Sequence, residues 1–329
     1  MGVFCHMDAQ CLCCYGGAIL ALIGAVVLLF IRFTSAKPNL TRYDDEKSFI
    51  DPKSGKRIPF PSILDEASVY LSIIVPSYNE EERLPIMLDE TLEYMQERQT
   101  EKPSFTYEII VVDDGSRDKT SQVALKYAEQ HGTDRIRVLT LVKNRGKGGA
   151  VRLGMLSARG EILLFADADG ATKVSDLIRL ENALHKDAPQ KTDMAISCGS
   201  RAHLQEAAVA ERTLLRNFLM HGFHFVVWSL CVRGVQDTQC GFKLLTRRAA
   251  TLIFYTMHVD RWAFDVELLY VAQQLKIPIS EVAVNWQEIE GSKMTPLFSW
   301  IQMARDLVLI SLRYATGGWK IEPVPSKSS

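Results

Sequence analysis

Three short apolar runs in this chain each end on acids. Leu71–Pro76 runs into Ser77-Tyr78-Asn79-Glu80, Tyr107–Val112 into Asp113-Asp114-Gly115-Ser116, and Glu161–Ala166 into Asp167-Ala168-Asp169. Carboxylates gathered at one edge repel and raise each other's pKa unless a cation sits among them. Asp167 and Asp169 are two apart, so in extended backbone both point the same way. Such a pair suits a hard divalent ion that also takes phosphate oxygens. Alone, Asp-x-Asp or Asp-Asp-Gly-Ser reads as a turn; three acidic run ends in the same register argue for a site. Asn144-Arg145-Gly146-Lys147-Gly148-Gly149-Ala150 follows a further apolar run and opens a helical pattern. Its glycines let backbone approach a ligand, a helix N-terminus draws anions, and Lys147 adds positive charge. The plain alternative is a strand–helix turn with a solvated lysine. Neither a Walker A loop nor a dinucleotide fingerprint is present.

The elements that must position these groups alternate. Strands are expected at Leu71–Pro76, Tyr107–Val112, Ile136–Leu141 and Glu161–Ala166, with helices over Glu81–Gln99, Thr120–His131 and Gly148–Ala158. Continuously apolar strands alternating with helices predict an α/β fold: a mostly parallel sheet covered on both faces. Ligands bind beyond the carboxyl ends of such strands, where the acids lie.

The flanks read differently. Ala9 to Ile31 carries no charge, and Arg32, Lys37 and Arg42 follow at once. Residues 1–35 are therefore expected to form a single membrane anchor with the rest of the chain on the cytosolic side. Residues 36–67, punctuated by Pro38, Pro52, Pro59 and Pro61, read as a polar linker to a domain over 68–290. Residues 291–329 read as a membrane-associated helix and tail. Within 297–314 the choice lies between docking at the interface, a return span, and packing on the sheet. The uncharged run 217–232 offers docking or packing. The chain has 329 residues, 47% of them apolar, and a net charge of −1, which excludes a disordered chain and disfavours a nucleic-acid binder. Its seven cysteines are too scattered for a disulfide framework.

Val75-Pro-Ser-Tyr-Asn-Glu80, Val112-Asp-Asp-Gly-Ser116, Asn144-Arg-Gly-Lys-Gly148 and Asp167-Ala-Asp169 resemble, in order and spacing from about Leu71 to Lys293, the family-2 glycosyltransferases of GT-A fold. Within that family the chain is most similar to the dolichyl-phosphate sugar transferases, through Gly199-Ser200-Arg201, Gln236-Asp-Thr-Gln-Cys-Gly-Phe-Lys243 and Trp286-Gln-Glu-Ile-Glu-Gly-Ser-Lys-Met294. The resemblance implies UDP-glucose as donor, dolichyl phosphate as acceptor, inversion at the anomeric carbon, Mg²⁺ or Mn²⁺ as cofactor, and a place in the endoplasmic reticulum membrane. It also implies residue roles. Pro76, Tyr78 and Glu80 would line the nucleotide pocket, with Gly146, Lys147 and Ala168 on the nucleotide sugar. Val112 and Asp114 would meet the uridine, with Asp113 alongside. Asp167 and Asp169 would hold the metal, and Arg201 and Lys293 would face phosphates. The mannosyl relatives carry an Arg where this chain has Gln287, which weakens a GDP-mannose assignment.

A phosphate monoester acceptor is mostly dianionic near pH 7, so no residue is required as a base. The site must instead bring two anions together, and Arg201, Arg212, Arg216, Arg261 and Lys293 are the available cations. In Arg261-Trp262-Ala-Phe264-Asp265-Val-Glu267 the acids are open to either an acceptor-orienting or a structural role. A processive polysaccharide synthase would want Gln where His258 stands and several spans. A non-catalytic sugar-nucleotide binder would not need both Asp167 and Asp169.

Overall fold

The computed structural model describes residues 9–204, 222, 227, 229–289, 296–321 and 324. After helix α1 (Ala9–Phe33) come two short strands, β1 (Ser48–Ile50) and β2 (Arg57–Pro59), paired antiparallel. The domain then alternates: β3 (Val69–Ser77), α2 (Leu84–Glu101), β4 (Tyr107–Asp113), α3 (Thr120–His131), β5 (Ile136–Thr140), α4 (Lys147–Met155), β6 (Gly160–Ala166) and α5 (Leu177–Asp187). It continues through β7 (Ile196–Ser200), β8 (Phe242–Thr246), α6 (Arg247–Thr256), α7 (Phe264–Gln274), β9 (Ile279–Ala283) and α8 (Pro296–Ala315).

The main sheet has seven strands in the order β5-β4-β3-β6-β8-β7-β9. β3 pairs in parallel with β4 and β6, β4 with β5, and β7 with β9, while β8 runs antiparallel to both β6 and β7. Period-two alternation splits the core into two layers. Leu71, Ile73 and Val75 pack under α2, α3 and α5, beside Leu88, Ala124 and Leu180. Ile74, Ile110 and Val112 face the opposite way, onto α4, α6 and α7. α4 lies unusually close to the sheet because of Gly154, where an added Cβ would come 2.6 Å from Ile74 Cγ2 and 2.8 Å from Val112 Cγ2.

Two expectations change here. Residues 36–67 are not a loose linker: β1 and β2 lie in them, Phe49 and Ile63 are buried, and the Glu46 carboxylate is wholly enclosed. Hydrophobic periodicity could not reveal this, because hydrogen bonds to single residues hold the stretch down. The return span over 297–314 is not formed, since Met303, Leu307 and Ile310 on one face of α8 sit in the domain core. Among the described residues no helix is long and apolar enough to cross a membrane. The side chains of α1 are described at Tyr15 and from Gly17 on, and every Leu, Ile, Val and Phe from Ile19 to Phe30 is exposed. Most of 217–232 lies outside the described residues, although Val227 and Val232 are buried in the core.

Candidate functional site

Parallel pairing brings the acidic strand ends to one edge. Ser77 stands opposite Asp113, and β6 lies on the other side of β3. β8 enters antiparallel, so the residue before it reaches the same edge: Asp167 donates its N–H to Gly241 O at 3.1 Å. β7 delivers Arg201 there as well. The chain after β9 returns beside Asp169, with the Gln287 N–H on Ala171 O at 2.9 Å and Trp286 bridged to Thr172.

The centre is a line of alternating charge. Lys147 Nζ lies 2.6 Å from Asp167 Oδ1, with the two side chains 15% and 34% exposed. Lys147 also sits 5.8 Å from the Trp262 ring. Burial alone would lower the Lys147 ammonium; Asp167 and Asp265 outweigh it and hold it above its ordinary value. Asp265 pairs at 2.6 Å with Lys243, which is wholly buried and also donates to Cys240 O at 2.7 Å. Asp169 accepts the Ala171 N–H at 3.0 Å, and burial together with the charge of Asp167 raises its carboxyl. Both effects are those a cation would relieve. Among the described residues no three acid, His or Cys groups gather to hold a metal by themselves. Two hard carboxylates completed by diphosphate oxygens fit Mg²⁺ or Mn²⁺.

Gly241 has no room for a side chain, because an added Cβ would overlap the Asp167 carboxylate. Gly241→Ala should therefore displace Asp167 and reduce turnover by about 100-fold with little change in far-UV circular dichroism, in line with the cost of misplacing a catalytic group by about 1 Å. Turnover near wild type would mean that the position of Asp167 does not matter.

Arg201 is braced. Its Nε and Nη2 donate to Asp237 Oδ2 and Oδ1 at 2.7 and 2.9 Å, and its guanidinium lies 5.4 Å from the Trp286 ring. Burial opposes the charge on Arg201, but Asp237 overrides it, so the guanidinium stays above its ordinary value and Asp237 below its own. Asp237 is itself positioned by donating its N–H to Glu281 Oε1 at 2.8 Å.

Other expected residues are placed less simply. Pro76, Tyr78 and Glu80 are half-buried at the edge, and Glu80 takes Arg83 in a two-pronged pair at 2.7 Å. Ala168 is buried between the two acids. The Val112 side chain is wholly enclosed against α4. Asp113 accepts from Ser116 N–H at 2.9 Å and from the Ser121 hydroxyl. Asp114 accepts from the N–H groups of Arg145 and Gly146 at 2.6 and 2.8 Å. Both carboxylates organise loops at this edge. Gly146 has φ 84°, and a Cβ there would meet Asp260 O at 2.7 Å; at Gly148 it would meet Phe264 Cβ at 2.6 Å. Close packing on the 259–264 segment is what demands these glycines. Lys293, Arg212 and Arg216 lie outside the described residues, and Arg261 is exposed. Glu267 faces away from the site and accepts from His258 N–H, Val259 N–H and Tyr314 OH at 2.9, 2.6 and 2.9 Å.

Burial pushes Asp114 up to about 6, against the two N–H groups that favour its charged form. The folded chain then holds a proton that the unfolded chain releases near pH 4, so stability should fall as pH rises from about 4 to about 6 and level off above. The fall should be at most about 3 kcal/mol, at about 1.4 kcal/mol per pKa unit. Urea midpoints over this range should show the slope in wild type and lose it in Asp114→Asn; an unchanged slope in the variant would assign it elsewhere.

The Glycosyl transferase family 2 profile matches residues 72–250. The chain belongs to this family. This glycosyltransferase is 57% identical over 308 residues to human "Dolichyl-phosphate beta-glucosyltransferase", covering 93% of this chain and 95% of that protein. The Drosophila melanogaster protein of the same name is 55% identical, covering 96% and 97%. That of Saccharomyces cerevisiae is 42% identical, covering 77% of each. Among solved structures, glucosyl-3-phosphoglycerate synthase from Mycobacterium tuberculosis in complex with UDP aligns at TM-score 0.50 and 17% identity, covering 79% of this chain and 82% of that one. That likeness establishes the GT-A-like fold.

The site also holds residues for which the sequence offered only an unassigned motif. Asp237, Gly241 and Lys243 all stand in Gln236–Lys243, and Asp265 in the 261–267 motif. An acid and a base 22 or 36 positions from each other, as in Lys243–Asp265 and Arg201–Asp237, carry no spacing signal.

Proposed function

We propose that this glycosyltransferase transfers glucose from UDP-glucose to dolichyl phosphate with inversion, giving dolichyl β-D-glucosyl phosphate. The observation that carries the reading is the Asp167–Lys147 pair, with Asp169 beside it, at the sheet edge of a chain so similar to relatives bearing that name. Asp167 and Asp169 would hold the Mg²⁺ or Mn²⁺; when bound, the ion supplies positive charge for the diphosphate leaving group. Lys147 is a second cation at the same place. A phosphate oxygen of the acceptor attacks the anomeric carbon from the face opposite the diphosphate, the C1–O bond to UDP breaks, and its electron pair leaves with UDP. No proton needs to be removed from a dianionic acceptor. Arg201, held rigid by Asp237 and within electrostatic reach of Asp167, lowers the repulsion between the two anions.

The acceptor is a lipid, and α1 offers a continuous apolar surface from Ile19 to Phe30 larger than a water-facing protein ordinarily tolerates. We read it as the membrane anchor, with Arg32, Lys37 and Arg42 on the cytosolic side of the endoplasmic reticulum. The deciding experiment offers labelled UDP-glucose, UDP-galactose and GDP-mannose to the purified full chain with a polyprenyl phosphate and Mg²⁺ or Mn²⁺. Glucose alone should enter the lipid fraction, and only with metal. Mannose there would overturn the donor assignment and keep the reaction class.

A further inference from the structure

The stretch between α1 and the domain runs along α4 and ends on the loop that carries Lys147. Arg152 Nη1 donates to Asn39 O at 3.4 Å, and Arg42 Nη2 donates to Leu153 O and to Ser157 Oγ, both at 2.9 Å. Nearer the site, Arg145 Nη1 donates to Thr41 O at 2.6 Å and its Nη2 to Glu46 Oε2 at 2.5 Å. The other Glu46 oxygen accepts the Val142 N–H at 3.0 Å, and the Tyr43 ring lies 5.4 Å from the Arg145 guanidinium. Glu46 is 0% exposed and Arg145 9%. A tether has no need to enclose a carboxylate, which is costly to bury unless it is paired and hydrogen-bonded.

The same Arg145 faces the site through its backbone. Its N–H and that of Gly146 hold Asp114, and the next residue, Lys147, meets Asp167. With Gly146 at φ 84°, and glycines at 148 and 149 in the first turn of α4, this loop and helix start have little conformational preference of their own. Catalytic groups must be held within about 0.5 Å of productive geometry, so the loop needs an outside brace.

We infer that Glu46 is a positioning residue of the donor site: acting through Arg145, it fixes the 144–147 loop, which makes the segment following α1 part of the site's framework. For its effect on the nucleotide, the inference rests on the function proposed above.

The test uses the full chain in detergent, with Glu46→Gln compared against wild type and against Glu181→Gln. The latter weakens an ion pair to Arg98 of similar burial on the far side of the sheet. Two quantities are read: amide hydrogen exchange across 144–149, and the UDP dissociation constant. Glu46→Gln should speed exchange in that loop about tenfold or more and raise the UDP dissociation constant by about tenfold, within the range that small misplacements produce. KM for the polyprenyl phosphate should stay constant. Glu181→Gln should lower the melting temperature and leave both quantities unchanged. If Glu46→Gln does not fold, Arg145→Lys, which keeps the charge towards Glu46 and drops the Thr41 bond, is read in the same way. Unchanged loop exchange in the variant sinks the inference whatever the donor. Wild type that fails to bind UDP while the variant still loosens the loop would instead sink the donor assignment and leave the brace standing.

Discussion

Asp169→Ala should abolish glucosyl transfer, by about 10³-fold or more, while UDP binding measured in EDTA stays at the wild-type value. In the proposed reaction the metal ion that Asp169 would help hold supplies several kcal/mol of charge stabilisation as the diphosphate departs, and each 1.4 kcal/mol is about tenfold in rate. The uridine end of the proposed donor would not depend on that contribution, which is why the two readouts should separate. Asp169 is suited to the role because its own environment disfavours its charge: it is partly buried, beside Asp167, with one backbone N–H as partner. Isothermal titration with Mn²⁺ should show the variant losing the site. If more than a tenth of the transfer survives, the leaving-group charge is handled by Lys147 and Arg201 alone.

The second large effect is on stability. Lys243→Met should destabilise the fold by about 3–5 kcal/mol, the usual result of stripping one partner from a buried ion pair. Lys243 is 0% exposed and Asp265 3%, so the carboxylate left behind has no solvent to turn to. The Lys243 ammonium also lies 5.3 Å from the Phe165 ring, a contact that methionine keeps only as packing. The companion variant Lys243→Met/Asp265→Leu should recover most of the loss, because a well-packed apolar pair is as good as a buried ionic one. Transfer should stay impaired in the double variant, since Asp265 is one of the three carboxylates whose charge Lys147 feels, with Asp167 and Asp169. Chemical denaturation of the three proteins is the check, and a double variant no more stable than Lys243→Met would show that the pair is not the cause.

Legibility from sequence followed the physics of each feature. β4 and α3 were readable almost to the residue because a buried strand shows as an unbroken apolar run and an amphipathic helix as a repeat. α8 was readable as apolar and helical, yet composition could not distinguish lipid from core. Met303, Leu307 and Ile310 pack on the domain where a membrane surface would have served equally well by hydrophobicity. Glu46 was invisible because it stands in Asp44-Asp45-Glu46-Lys47, a run that reads as solvated, and the partner that buries it lies 99 positions away.

The candidate site divides in the same manner. Which residues end the strands is a property of the chain's order, and parallel pairing then carries Asp113 and Asp167 to one edge without further information, while Arg201 arrives there through the antiparallel insertion of β8 between β6 and β7. That much, with the family resemblance, belongs to the sequence. What each carboxylate does there was decided by the fold. Asp114 and Asp167 both follow apolar strands and look alike in the sequence, yet one is enclosed by the N–H groups of Arg145 and Gly146 while the other meets Lys147 with a third of its side chain still open. The physical reason is that sequence sets the direction in which a chain emerges from a strand. Only the packed neighbours, arriving from distant parts of the chain, set the solvation and the partners that turn a carboxylate into a loop brace or a ligand.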